Sequence, residues 1–133
     1  MYATRKATSE DLLNIQANQF LDEQSKLILL SSWGMLEAQT LLKGKEIIAI
    51  AIFKEFHPTL YSSGIVIKNN VSLSDLKQIK KFIAKIIQDK NAQYVHSECV
   101  VCPIRDRFHE FLNFEVEKDL GSYKKWKYKG LVY

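Results

Sequence analysis

Residues 60–100 decide the predicted fold, and they read LYSSGIVIKNNVSLSDLKQIKKFIAKIIQDKNAQYVHSECV. Their middle part predicts an amphipathic helix, because apolar residues recur at three- and four-residue spacing and lysines occupy the other side. Ser72 or Ser74 can cap this helix, whose apolar positions are Leu73, Leu76, Ile79, Phe82, Ile83, Ile86 and Ile87. Apolar segments on both sides, Leu60 to Lys68 and Tyr94 to Val101, predict strands. Gly64 predicts a bulge or a point of close approach in the first strand.

Upstream of this stretch, the chain predicts three strands and two helical segments. Thr8 can cap the first helix, which has acidic residues in its first turn and an apolar face of Leu12, Leu13, Ile15 and Phe20. The second helical segment runs from about Glu23 to Trp33. The strands are Tyr2 to Lys6, Met35 to Leu42 and Ile47 to Phe53, with a tight turn at Lys43-Gly44-Lys45. The third strand is almost continuously apolar, so it is expected to be buried on both faces.

Downstream, Pro103 suits the first turn of a short helix from about Ile104 to Leu112. Two final strands, Phe114 to Glu117 and Tyr123 to Tyr128, are predicted to pair in antiparallel fashion. The whole order is β α α β β β α β α β β. It predicts the α/β class, with a mixed, mostly antiparallel sheet flanked by helices.

Length and composition predict one ordinary domain spanning residues 1–133. The chain is 47% hydrophobic and 26% charged, which excludes intrinsic disorder. It contains no apolar run long enough to cross a bilayer, and its first residues lack the apolar stretch of a secretory signal. The two cysteines do not predict a disulfide scaffold. We therefore expect a cytoplasmic, reduced protein.

This order resembles the GNAT superfamily, the GCN5-related acyl-CoA N-acyltransferases. Three segments carry the resemblance. RKATSEDL at residues 5–12 is similar to the first strand and helix start of many GNAT domains, and LLKGKEII at residues 41–48 is similar to their second-to-third-strand turn. FHEFLNF at residues 108–114 lies where the family often has an aromatic-rich helix that ends in Leu-Gly-Phe. The resemblance implies an acyl-CoA N-acyltransferase fold.

The family's cofactor loop is altered in this chain. Active members usually carry Gln/Arg-x-x-Gly-x-Gly/Ala between the fourth strand and the next helix, where backbone N–H groups hold the CoA pyrophosphate. The corresponding stretch here is KNNVSLSD at residues 68–75, which has no glycine. Asp75 is expected to place a negative charge near the phosphate site, for which Lys68 compensates in part. If acetyl-CoA binds, the resemblance implies Lys68, Asn69, Asn70, Val71 and Ser72 as its contacts.

Two residues are candidates for acid–base catalysis. His109 occupies the position of the family's general-acid Tyr, Asn113 replaces the Gly of Leu-Gly-Phe, and Cys102 replaces an Asn. A histidine there is able to protonate a thiolate leaving group, although a structural helix histidine is the more common situation. Glu98 is the candidate general base, because a buried carboxylate beside the cleft would have a raised pKa. A salt-bridged surface glutamate is the alternative.

The altered loop also resembles a narrower group. Tailed bacteriophages encode short GNAT-like proteins without a convincing CoA loop, including the internal virion protein A family, whose aromatic segment is similar to RFHEFLNF at residues 107–114. Their implied role is virion morphogenesis. Cys99 and Cys102 form a C-x-x-C spacing at the end of a strand, which favours buried apolar cysteines over redox or zinc chemistry. No metal site is therefore expected.

The formal net charge of +4 comes from residues 118–133, which hold five lysines and one aspartate. Within them, Lys125, Trp126, Lys127 and Lys129 interleave bases with an aromatic ring, a pattern typical of nucleic-acid or acidic-partner contact. Alternation along an edge strand protected by lysines gives the same pattern.

Three functions follow from these observations. The first is a non-catalytic GNAT-like protein that acts in phage virion assembly or through a protein partner. The second is an acyl-CoA-dependent N-acetyltransferase with acetyl-CoA as cofactor and Glu98 and His109 as catalytic residues. The third is a nucleic-acid-binding module that uses the C-terminal strand.

Overall fold

A computed structural model describes residues 1–15 and 23–129 of the chain. The helices of this part are α1 (Ser9–Asn14), α2 (Glu23–Ser31), α3 (Leu73–Asp89) and α4 (Pro103–Phe111), with a short 3-10 turn at Trp33–Met35. The strands are β1 (Tyr2–Lys6), β2 (Glu37–Lys43), β3 (Glu46–Phe56), β4 (Thr59–Ile67), β5 (Tyr94–Val100), β6 (Phe114–Asp119) and β7 (Tyr123–Tyr128). The predicted element order is confirmed, whereas Phe20 lies outside the described residues.

The seven strands form one sheet in the order β1-β2-β3-β4-β5-β7-β6. β4 and β5 pair in parallel, and every other neighbouring pair is antiparallel. The parallel pair requires a crossover, and α3 supplies it between the two strands. The predicted mixed, mostly antiparallel sheet flanked by helices is therefore confirmed.

Hydrophobic cores lie on both faces of the sheet. On one face, the apolar side of α3 packs with β3, β4 and Trp126 of β7, and the aromatic residues of α4 lie against the same cluster. On the other face, Leu12 of α1 packs with Ile50 and Ile52 of β3. β3 supplies buried side chains to both clusters, which confirms its predicted burial on two faces.

The last strand is not where the sequence placed it. β7 lies between β5 and β6, so the expectation that residues 123–128 form a sheet edge is wrong, and β6 is the edge. The antiparallel hairpin of β6 and β7 is nevertheless confirmed. Within residues 1–15 and 23–129, the helices are too short or too polar to cross a membrane.

Candidate functional site

A cleft opens in the middle of the sheet where β4 and β5 separate. Their parallel pairing runs from Thr59 opposite Tyr94 to Ser62 opposite Ser97, and it ends there although both strands continue. The pairing of β4 with β3 shifts register at the same level, between Ile52 and Phe53. Gly64 has φ +148°, a conformation that favours glycine. The predicted bulge is thus present, and it lies where the two strands part.

The cleft encloses a cavity of about 630 Å³, within the usual range for small-molecule sites. β4 and the loop after it form one wall. The opposite wall comes from β5 and α4 and includes Cys99, Ile104, Phe108 and His109. Because the lining is largely apolar with a few polar groups, the cavity suits a ligand with a long, weakly polar portion.

β4 also presents backbone groups to the cleft. The amide of Lys68 donates to the carbonyl of Ile48 on β3 over 3.0 Å. Because N–H directions alternate along a strand, the amides of Ile65 and Ile67 point away from β3 and toward the opening. They provide hydrogen-bond donors beside the apolar side chains of this wall.

The loop at residues 68–72 joins this wall to α3. Asn70 has φ +58°, the left-handed conformation that a glycine would adopt freely and that asparagine tolerates well. Asn113, which replaces the glycine of Leu-Gly-Phe, is also left-handed at φ +76°. Asparagine therefore adopts a conformation that favours glycine at one position of the loop and at the end of α4.

Asp75 is buried beside the loop rather than exposed at its mouth. Its side chain is only 4% exposed, accepts a 2.6 Å hydrogen bond from the Tyr2 hydroxyl, and closes a capping box with Ser72. These hydrogen bonds, led by the one from Tyr2, lower the pKa of Asp75. The expected negative charge therefore lies next to the loop, 3.7 Å from the Lys68 ammonium, but the carboxylate oxygens are buried and bound by partners.

Lys68 is committed to acidic neighbours. Its ammonium lies 2.9 Å from a carboxylate oxygen of Glu46 and 3.7 Å from one of Asp75. The hydrogen bond to Glu46 is the main reason why the pKa of Lys68 is raised. Lys68 lines the cavity, but two carboxylates already share its charge. Its contact with a cofactor stays a prediction, as do those of Asn69, Asn70, Val71 and Ser72.

His109 is held by three contacts near the point where β4 and β5 separate. Its Nδ1 lies 2.9 Å from the carbonyl oxygen of Arg105, and its Nε2 lies 3.0 Å from the hydroxyl oxygen of Ser97. Its ring stacks on Trp126 with 4.6 Å between centroids. A carbonyl only accepts, so Nδ1 carries a proton. Burial lowers the pKa of His109, so the ring is neutral at pH 7 and Nε2 accepts from Ser97.

This tautomer bears on the predicted acid role of His109. A neutral imidazole with its proton on Nδ1 has none to give from Nε2, and the proton nearest the cleft belongs to the Ser97 hydroxyl. Ser97 was missed in the sequence. Strand alternation puts it on the same face as Cys99, but its pairing with His109 depends on where α4 packs.

Glu98 lies at the rim of the cleft. Its side chain is 59% exposed and its carboxylate lies 3.7 Å from the ammonium of Lys125. The expectation of a buried carboxylate is therefore wrong, because alternation turns Glu98 away from the core that contains Ser97. Its role as a general base stays a prediction.

The basic C-terminal strand is balanced by acids on neighbouring elements. Lys124 forms a 2.8 Å ion pair with Asp106, and Lys127 lies 3.8 Å from Glu115. Trp126 is 1% exposed, so the expectation that it stacks on a base or a partner is wrong. A contact role for Lys125, Lys127 or Lys129 stays a prediction.

Both cysteines are free and half-buried. Burial raises the pKa of the Cys99 thiol, which disfavours the reactive thiolate. Across residues 1–15 and 23–129, no three His, Cys, Asp or Glu side chains cluster closely enough to hold a metal ion.

Solved structures that resemble this chain include N-acetyltransferases. A putative GNAT-family acetyltransferase from Desulfovibrio desulfuricans superimposes with a TM-score of 0.74 at 14% identity, covering 96% of this chain and 97% of that one. PaiA N-acetyltransferase from Thermoplasma acidophilum, in complex with coenzyme A, gives 0.72 at 15% identity, with 97% and 99% covered. Campylobacter jejuni PseH, in complex with acetyl coenzyme A, gives 0.68 at 10% identity, with 98% and 99% covered.

These similarities show the fold. The chain has the acyl-CoA N-acyltransferase fold of the GNAT proteins, as its sequence predicted. No protein-family model and no curated protein sequence matches it.

Proposed function

We propose that this protein is an acyl-CoA-dependent N-acyltransferase that uses acetyl-CoA and acts on an amine. The observation that carries the proposal is the separation of β4 and β5 after the Ser62–Ser97 pair, which opens a cavity of about 630 Å³ beside a loop with a left-handed Asn70. Structural neighbours with this fold are described in complex with coenzyme A or acetyl coenzyme A.

The residues present fit such a cofactor. The apolar cavity and the outward amides of Ile65 and Ile67 suit the pantetheine arm, which carries amides on a flexible chain. The loop at residues 68–72 would hold the pyrophosphate. The N-terminal end of α3 lies next to this loop and would favour a bound pyrophosphate, although the Asp75 carboxylate in its first turn offsets part of the positive charge. An acyl-CoA would supply an activated acyl group as a thioester.

Ser97, His109 and Glu98 would then move protons where β4 and β5 separate. An attacking amine must lose a proton, and the neutral His109 can accept it at Nε2 through the Ser97 hydroxyl. The same pair can return a proton to the leaving sulfur. In this proposal Glu98, exposed at the rim, takes the proton of an incoming ammonium group and so delivers a neutral amine.

Calorimetric titration with acetyl-CoA and, separately, with S-acetylpantetheine tests the proposal. The second ligand lacks the nucleotide and pyrophosphate, so the difference in affinity reports what the loop contributes. We expect micromolar binding of acetyl-CoA, at least tenfold tighter than S-acetylpantetheine, or about 1.4 kcal/mol. Equal affinities would show that the loop does not hold the pyrophosphate.

A matched pair of variants locates the binding. Cys99→Trp places a large ring in the cleft wall, whereas Val116→Trp places the same ring on β6, at an exposed position outside the cleft. Only the first should abolish acetyl-CoA binding, with circular dichroism confirming that both fold.

Failure of both ligands to bind at millimolar concentration would overturn the proposal. It would favour the non-catalytic role in virion assembly or with a protein partner. That role rests on the absence of glycine from residues 68–75 and on its resemblance to phage proteins.

A further inference from the structure

We propose that Ser97 and His109 form a nucleophilic pair that takes an acyl group onto the Ser97 hydroxyl and releases it to water. The protein would therefore hydrolyse small activated acyl esters in the absence of any acceptor amine. This activity does not require coenzyme A, so it is separable from the proposed N-acyltransferase function.

The geometry is that of an activated serine. The Ser97 Oγ lies 3.0 Å from His109 Nε2, and the opposite nitrogen of the ring is fixed by the Arg105 carbonyl 2.9 Å away. A nucleophile bonded to a base, which is itself oriented by a third group, is the arrangement that activates serine hydroxyls. Here a backbone carbonyl orients the imidazole.

The ring is held in place by aromatic neighbours. Trp126 stacks on it, and Phe114 meets its edge with 5.7 Å between centroids. Burial lowers the pKa of the imidazole and keeps it unprotonated at neutral pH. The hydrogen bond to the Arg105 carbonyl and the charge of Asp106 oppose this effect, whereas the charge of the Arg105 guanidinium reinforces it. A base that is both rigid and unprotonated is ready to accept the serine proton.

Substrate access comes from the cleft. Ser97 and His109 both line the cavity, and Ser97 is the last β5 residue that pairs with β4. A small acyl group that enters the opening therefore reaches the Ser97 hydroxyl where β4 and β5 separate. Ser97 itself is 8% exposed, so its hydroxyl is reached through the cavity that it lines.

The reaction balances with water as the only co-reactant. Ser97 Oγ forms a bond to the acyl carbon and passes its proton to His109 Nε2, and the bond from that carbon to the leaving group breaks. The leaving group then takes the proton from Nε2. In the second half, water gives a proton to Nε2 and attacks the acyl carbon, which releases the carboxylic acid and restores the Ser97 hydroxyl with that proton.

p-Nitrophenyl acetate is the probe that tests this pair. We expect release of nitrophenolate and, after rapid acid quenching, one acetyl group on the peptide that contains Ser97, identified by mass spectrometry. Ser97→Ala should remove the modification and lower the rate at least tenfold. His109→Phe, which keeps an aromatic ring over Trp126 but has no base, should have the same effect.

Ser122 provides the matched control. It is exposed in the turn between β6 and β7, and it does not line the cavity. Ser122→Ala should hydrolyse the ester at the wild-type rate. Unchanged hydrolysis by Ser97→Ala, or acetylation of Cys99 or a lysine in its place, would overturn the inference.

Calorimetry on the same variants separates this inference from the proposed function. Ser97→Ala should still bind acetyl-CoA, because it removes one hydroxyl and leaves the loop and the other lining residues unchanged. Acetyl-CoA binding without a covalent Ser97 adduct would overturn the nucleophilic pair and leave the N-acyltransferase proposal standing. Ester hydrolysis through Ser97 without acetyl-CoA binding would support the nucleophilic pair and overturn the N-acyltransferase proposal.

Discussion

The first turns of α1 and α3 are built on the same local device but differ in their surroundings. Each is a capping box in which a hydroxyl residue, Thr8 or Ser72, exchanges hydrogen bonds with an aspartate three positions later. Each aspartate is buried and is also bound by a residue of β1. Arg5 contacts Asp11, and Tyr2 contacts Asp75 through its hydroxyl.

The partners make the two sites unequal. Asp11 receives two short bonds from the Arg5 guanidinium, at 2.6 and 2.7 Å, and one from Thr40 at 2.9 Å. Asp75 accepts a hydrogen bond from the neutral phenol of Tyr2, and the ammonium groups of Lys68 and Lys43 lie 3.7 and 3.9 Å away. A bidentate guanidinium is the stronger partner. The α1 turn is therefore mainly a structural clamp, whereas the α3 turn balances charge beside a candidate ligand loop.

The largest expected effect is a difference in the free energy of unfolding between alanine variants of the two aspartates. Asp11→Ala should lower the free energy of unfolding by about 3 kcal/mol, because it removes one half of the α1 capping box and the buried carboxylate that binds Arg5. Asp75→Ala should cost about 2 kcal/mol, since its main partner is neutral. Urea denaturation measures both, with Asp89→Ala in an exposed ion pair as the control, expected within about 0.5 kcal/mol. Equal losses at Asp11 and Asp75 would contradict the comparison.

Acid should weaken the α1 clamp in a defined window. The Arg5 hydrogen bonds lower the pKa of Asp11 from 3.8 to about 2. The associated stability is present above the unfolded pKa and is lost as pH falls from about 4 through about 2. Its size is about 2 kcal/mol. Denaturation of wild type and Asp11→Asn at pH 7, 4 and 2.5 should show stabilities that converge at the lowest pH, and parallel curves would refute the assignment.

The Tyr2 hydroxyl should account for about 1 kcal/mol at the α3 turn. Tyr2→Phe removes the 2.6 Å bond to Asp75 and the longer 3.4 Å contact with the Ser74 hydroxyl, and it leaves the ring in place. Tyr123→Phe, on an exposed tyrosine, is the control and should be neutral. In Asp75→Ala, Tyr2→Phe should have almost no further effect, and an additive double mutant would show that the two groups do not interact.

The smallest effect concerns the loop itself. Asn70→Gly should tighten acetyl-CoA binding by roughly threefold, because glycine adopts φ +58° freely and leaves more room for a phosphate. Asn91→Gly changes another left-handed asparagine, at φ +49° after the far end of α3, and should leave the affinity unchanged. Weaker binding by Asn70→Gly would indicate that the asparagine side chain itself contacts the ligand.

Much of the fold follows from local pattern. The spacing of apolar residues in α3 and the unbroken apolar run of β3 predicted both elements and their burial, because those periods follow from helix and strand geometry. The sequence showed Ser72 as a possible cap, but it did not show which groups bind the Asp75 carboxylate. One of them is the hydroxyl of Tyr2, which is 73 positions away in the chain.

Residue type and spacing alone predict the order of elements and the capping residues of α1 and α3, and they show that the loop after β4 has no glycine. Other features arise only in the folded chain. The fold inserts β7 between β5 and β6, buries Trp126 under His109, turns Glu98 outward, and brings Ser97 to His109 where β4 and β5 separate. These are contacts between distant segments, and only packing of the whole chain fixes them.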